Sequence, residues 1–198
     1  LFPMVDVALA LKERGHRVVV QTLAGEGTRM EALGLEHRAI DPRIEALPLD
    51  DFESVFPPVQ LRRTMRRWMQ RAPFEVADLR QTMEEVGADL LVVDANCWGA
   101  GAFAESSGLP WSMFLPYCLS VPSRDAPAFG PGAPPPAGLL GRLRDRLIWA
   151  LHGLVSRPAL RELSALRRGL GIPPIHRVYD LFTRAPLLYR TAEPFEYP

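Results

Sequence analysis

The chain has 198 residues, about one large domain's worth, with 47% hydrophobic and 23% charged side chains. That balance excludes a disordered chain, a coiled coil and a collagen-like fibre. The 23 basic and 23 acidic residues cancel, so no basic excess points to nucleic acid and no nucleic-acid partner is expected.

The base content is lopsided: Lys12 is the single lysine among the 23 basic residues. We read this as a codon-level bias without chemistry. No stretch reaches the roughly 18 apolar residues a membrane helix needs. The nearest, 109–123, is broken by Pro110, Pro116 and Pro122, so no membrane insertion is expected. The opening residues LFPMVD carry no basic region of a signal peptide. They also lack an initiator Met, so the natural start is expected upstream. Cys97 and Cys118 form no CxxC pair. They read as two buried thiols in a reducing, cytoplasmic setting, with no metal or redox role.

The first 40 residues read α, β, α, β. Pro3 suits a first helical turn, Val7, Ala8 and Leu11 give the apolar stripe, and Gly15 is a C-terminal cap. Residues 17–23 (RVVVQTL) read as a buried strand. Thr28 and Glu31 form a capping box for a short helix ending at Gly34, and 35–40 reads as a second strand. Four prolines then punctuate a loop over 41–58 that carries Phe52 and Phe56. A helical region over 59–86, interrupted near Pro73, closes at Gly87.

Residues 89–94 (DLLVVD) are the clearest strand. A helix over 97–107 follows, capped by Gly108, and then a strand at 111–115. The Pro/Gly-rich 126–141 reads as a loop or lid. Leu140, Leu143, Leu147, Leu151 and Leu154 recur at helical spacing, Pro158 starts a second helix, and a short strand covers 187–190. Together these predict an α/β fold: a Rossmann-like parallel sheet with helices on both faces, in one domain over 1–198.

In an open parallel sheet, ligands bind beyond the carboxyl ends of the strands. Asp94 ends the strongest strand there, followed by Asn96, Cys97 and Trp98; Pro116, Tyr117 and Cys118 follow the next strand. A strand-end aspartate can cap the following helix or take part in catalysis, and both readings stand at this point. Gly25 and Gly27 lack the third glycine and the lysine of phosphate loops and read as a tight turn. The arginines 62, 63, 66, 67 and 71 at helical spacing read as a solvated face. Trp68 and Met69 point inward, to core or to a ligand cleft. His152, inside a leucine-rich helix, reads as a satisfied core histidine, and none of the four histidines is placed as a base.

Three segments carry a family resemblance: 1–20 (LFPMVDVALALKERGHRVVV), 89–119 (DLLVVDANCWGAGAFAESSGLPWSMFLPYCL) and 187–198 (LLYRTAEPFEYP). In this order they resemble the N-terminal half of a GT-B glycosyltransferase of family 1, the type that glycosylates natural products such as antibiotics. The resemblance implies an inverting transfer of a sugar from a nucleotide-diphosphate donor, a co-substrate rather than a cofactor, to a hydroxyl of an apolar small-molecule aglycone. It matches Asp94 to the aspartate that orients a general-base histidine. That histidine sits in a Gly-His motif expected, with the first strand, upstream of Leu1. The nucleotide-sugar donor domain is expected after Pro198.

An empty apolar acceptor cleft is then expected beside Asp94, lined by Phe52, Phe56, Trp68, Asn96, Trp98, Phe114 and Tyr117. The same fold leaves open a catalytically silent helper module and a GT-B nucleotide-sugar epimerase. A homodimer is among the arrangements left open.

Overall fold

A computed structural model describes residues 2–119, 121–128 and 130–189. The end of the expected last strand, Arg190, and the rest of the third resembling segment lie outside these. Helix α1 (Phe2–Glu13) leads to strand β1 (Val19–Thr22). A 3-10 turn (Ala24–Glu26) and α2 (Gly27–Ala32) lead to β2 (Glu36–Ala39). β1 and β2 pair in parallel, Val19 opposite Glu36 and Thr22 opposite Ala39. Ala8, Met30 and Leu35 bury a small core beneath them.

Then come α3 (Pro42–Glu45), a 3-10 turn (Asp51–Glu53) and the long α4 (Pro57–Val86). β3 (Leu91–Asp94), α5 (Trp98–Ser106), β4 (Trp111–Leu115), α6 (Gly138–Gly169), a 3-10 segment (Val178–Thr183) and β5 (Leu187–Tyr189) complete the fold. β3, β4 and β5 form a second parallel sheet in that order, with Leu91 opposite Trp111, Asp94 opposite Phe114 and Met113 opposite Leu187. The parallel strands and intervening helices are those expected, but among the described residues they fall into two sheets rather than one. No position of β3 or β4 is exposed, as apolar strands covered on both faces require. The main core joins α4, α5, β4 and α6 through Met65, Met69, Trp98, Leu115, Leu160 and Leu163.

Several local expectations are overturned by tertiary context. The capping box at Thr28 and Glu31 does not form. The chain starts to turn at Ala24, so Thr28 already lies inside α2, whose first residue is Gly27 and whose start has no side-chain cap. Glu45 of α3 instead takes the Ala24 N–H at 2.6 Å. The 41–58 segment is not one loop, because Asp41 caps α3 by accepting the Arg43 N–H at 2.8 Å.

Pro73 does not interrupt α4. A helical proline costs about 3 kcal/mol, and burial of Met65, Met69 and Ala72 in the turns before it offsets that. Gly87 does close α4: at φ +64° it takes the left-handed conformation, and its N–H donates to the Met83 carbonyl at 2.9 Å. Pro158 likewise starts no new helix and sits inside α6. The carbonyl it leaves without a donor belongs to exposed Leu154, where solvent can serve, while Ala159, Leu160 and Leu163 anchor the next turn.

The leucine stripe is helical as expected but covers no core. Leu140 is 83% exposed, and Leu143, Leu147, Leu151 and Leu154 are exposed as well. Cys118 is exposed rather than buried.

Candidate functional site

β3 delivers Asp94 to the carboxyl edge of its sheet, and the next residues turn sharply into α5. Asp94 Oδ1 accepts the Asn96 backbone N–H at 2.8 Å and the Asn96 amide Nδ2 at 3.0 Å. This is the local turn by which Asp and Asn bind backbone two residues on. It fixes the carboxylate and leaves Oδ2 without a hydrogen-bond partner among the described residues. Tyr117, from the segment after β4, donates its hydroxyl to Asn96 Oδ1 at 3.0 Å. Burial, with the negative charge of Asp94 nearby, pushes the Tyr117 phenol up to about 12. Asp94, Asn96 and Tyr117 thus form one polar cluster, built from two strand ends.

Asp94 does not cap α5. That helix starts at Trp98 with no side-chain cap from its own flank. Its cap comes from α4: Glu75 Oε2 accepts the N–H of Gly99 at 2.7 Å and of Ala100 at 3.2 Å. The other Glu75 oxygen pairs with Arg71, whose Nη2 donates to Cys97 Sγ at 3.0 Å. Burial pushes the Glu75 carboxyl up, while Arg71 and the two N–H groups pull it back. Burial opposes the Arg71 charge too, yet Cys97, Glu75 and Asp94 hold that guanidinium above its ordinary value. Burial also pushes the Cys97 thiol up to about 12, so it stands protonated.

Sequence reasoning missed Glu75 and Arg71. The available signal was register: Met65, Met69, Ala72 and Glu75 share one helical face, which puts a carboxylate among buried residues.

Of the remaining arginines of the run, Arg62 is exposed as expected, but the other three are paired rather than merely solvated. Arg63 donates to the Asp50 carbonyl at 2.6 Å, Arg66 pairs with Asp50 at 2.8 Å and Arg67 with Asp51 at 3.0 Å. They tie the 50–53 segment to α4. Of the expected acceptor residues, Asn96 and Tyr117 join Asp94, and the others lie outside that polar cluster. Trp98 and Phe114 are buried core. Trp68, partly buried, packs against Trp98 with ring centroids 4.8 Å apart. Phe52 and Phe56 are 73% and 66% exposed, and neither lines the cavity beside Asp94.

That cavity is about 10 Å³, with Asp94, Trp98, Glu105, Trp111 and Arg167 among its walls. It has room for about one water. The open apolar cleft expected there is filled by the protein's own side chains. Nearby, the fully buried Arg167 pairs with Glu105 at 2.8 Å and donates to the Pro173 carbonyl at 2.7 Å. His152 is no satisfied core histidine: its ring makes no hydrogen bond among the described residues and lies edge-on to Trp149 at 5.4 Å. Among the described residues no three His, Cys, Asp or Glu side chains are grouped to hold a metal, and no helix is long and apolar enough to cross a membrane.

No family model matches the chain. By sequence it is 29% identical over 219 residues to the 4'-demethylrebeccamycin synthase of Lentzea aerocolonigenes, an alignment covering 99% of this chain and 49% of that protein. The chain thus spans about half the length of the curated relative it matches. By fold it is similar to the glycotransferase of kitacinnamycin, with TM-score 0.61 and 19% identity over 92% of this chain and 40% of that one. It is also similar to a Streptomyces sp. SF2575 glycosyltransferase, SsfS6, solved with thymidine diphosphate: TM-score 0.55 and 16% identity over 97% of this chain and 46% of that one. The resemblance read from the residues around Asp94 is thus matched in both sequence and structure: the chain has the α/β fold of part of a natural-product GT-B glycosyltransferase.

Proposed function

We propose that this chain is the acceptor-binding part of an inverting glycosyltransferase, which moves a sugar from a nucleotide-diphosphate sugar to a hydroxyl of an apolar small-molecule aglycone. What carries the reading is the match to a 4'-demethylrebeccamycin synthase, sustained over 99% of the chain. The position of Asp94 supplies the chemistry. The proposal includes a first strand and a Gly-His motif ahead of Leu1, and a nucleotide-sugar donor domain after Pro198.

An alcohol is a poor nucleophile at neutral pH and must lose its proton as it attacks the anomeric carbon. In the proposed reaction the imidazole takes that proton while the new glycosidic bond forms. The bond from the anomeric carbon to the nucleoside diphosphate breaks, and the diphosphate leaves with the electron pair. A carboxylate on the far ring nitrogen fixes the tautomer and stabilises the imidazolium. Asp94 is suited to hold such a ring, because Asn96 locks its Oδ1 while its Oδ2 remains available to receive an N–H.

The test is Asp94→Asn in the complete enzyme. Turnover is expected to fall by about 10²–10⁴-fold, with the aglycone dissociation constant within about threefold of the parent. Unchanged turnover would overturn the role of Asp94.

The water-sized cavity beside Asp94 favours a second reading, a catalytically silent helper module of the same fold. Assays of the complete protein with activated sugars and apolar aglycones separate the two. Product formation supports the enzyme; no product alone, but faster turnover when it is added to a partner transferase, supports the helper.

A further inference from the structure

α6 carries a second surface that sugar transfer does not use. Over its C-terminal half, Arg157, Arg161 and Arg168 lie on the wall of a groove of about 290 Å³, near the lower size of ordinary ligand sites. Leu160, Ile175 and Pro174 line its apolar part, and His176 lies across from the helix on the following loop. Among the described residues, nine other arginines form the ion pairs seen with carboxylates. The three groove arginines are exposed and have no carboxylate partner among the described residues.

The nearby polar groups are already occupied. Asp180 accepts the backbone N–H groups of His176 at 3.3 Å and Arg177 at 3.0 Å. The Ser164 hydroxyl donates to the Ile175 carbonyl at 2.9 Å and accepts its N–H at 3.2 Å. No acidic side chain lines the groove. Attraction to the negative end of the helix accounts for Arg168 in the last turn. It does not account for Arg157 and Arg161, about three and two turns earlier.

The geometry points to a binding site for a diphosphate group in this groove, with Arg157, Arg161 and Arg168 as its cationic wall. Arg157 and Arg161 are one helical turn apart and can share a single phosphoryl group. Arg168 lies on the same helix face about two turns on, and its long side chain is available for the second phosphoryl group. Guanidinium forks suit phosphoryl oxygens. The groove shares no lining residue with the cavity beside Asp94, which Arg167, next to Arg168 in the chain, helps to wall.

The test is calorimetric titration of the purified protein with inorganic pyrophosphate at low ionic strength, with Arg157→Ala/Arg161→Ala as the variant. Removing one charge-assisted hydrogen-bonding side chain is expected to weaken binding about tenfold, so the double variant binds about a hundredfold more weakly. Arg14→Ala/Arg124→Ala, which removes the same charge from exposed positions elsewhere, is expected to stay within about twofold. A parallel titration with thymidine diphosphate identifies the source. Equal affinity means the groove reads the diphosphate alone; tighter binding means the nucleoside packs on Leu160, Pro174 and Ile175. No binding by the parent, or equal pyrophosphate affinity and stoichiometry in the Arg157→Ala/Arg161→Ala variant, overturns the site. This outcome is independent of the Asp94→Asn experiment, so either proposal can fail alone.

Discussion

Glu75 Oε2 accepts the backbone N–H of Gly99 at 2.7 Å, so a carboxylate of α4 caps the helix that begins just beyond Asp94. The same side chain neutralises the partly buried Arg71. Glu75→Ala removes the cap and strands that guanidinium, which is expected to cost about 3–5 kcal/mol. Glu75→Gln keeps an acceptor oxygen for Gly99 and is expected to cost about half as much. Urea denaturation with unchanged m-value measures both. A Glu75→Ala protein within about 0.5 kcal/mol of the parent would show that the cap is incidental.

Gly99 of α5 packs directly against the backbone of α4. A Cβ there would stand 2.6 Å from the Ala72 Cα and 2.7 Å from its carbonyl carbon, both backbone atoms that cannot swing aside. Gly99→Ala is therefore expected to force the two helices apart, with a loss of more than about 3 kcal/mol or no folded protein. Gly101, in the same helix, has nothing within 4 Å of its would-be Cβ. Gly101→Ala removes only backbone freedom and is expected to stabilise by about 0.5–1 kcal/mol. Thermal melts of the pair decide the matter: similar shifts in both would contradict the close approach.

How far the sequence could be read divides along one line. Elements set by their own residues were legible. The apolar run at 91–94 is a buried strand, Gly87 ends its helix, and Asp94 sits at the carboxyl edge. What depends on a distant partner was not. The arginines of α4 read as solvated because their partners Asp50 and Asp51 lie in a loop whose path no periodicity reveals. Pro73 and Pro158 read as breaks because propensity is local and the packing that overrides it is not. The leucines of α6 announced an amphipathic helix, but spacing cannot say whether anything covers the apolar face. Burial of the aromatics was hidden for a related reason. Trp98 and Phe114 lie next to functional positions in sequence, yet their bulk is what fills the core beside Asp94.

The two cysteines differ in a way a thiol reagent can count. Cys97 is held by Arg71, and burial pushes its thiol up to about 12; a thiolate is the reactive form. Cys118 is exposed. At pH 8 the native protein is expected to take up about one equivalent of a maleimide, on Cys118 by peptide mass mapping. In urea it should take up a second. Modification of native Cys97 on the same timescale would contradict the buried Arg71–Cys97 contact.

His152 gives the fold a pH dependence whose sign can be worked out. Burial lowers its pKa below the ordinary 6.5, and the ring lies against Trp149 with no hydrogen bond to hold a proton. The unfolded chain therefore binds more protons than the folded one in the window between the lowered value and 6.5. Stability must then rise with pH across that window. The contribution is full above 6.5, and it is lost as pH falls through the folded-state value. Unfolding midpoints measured from pH 7.5 down to about pH 5 should fall for the parent. They should fall less for His152→Gln, which cannot take up the proton. An identical slope in the two proteins would place the acid sensitivity in other groups and leave His152 a half-buried packing residue.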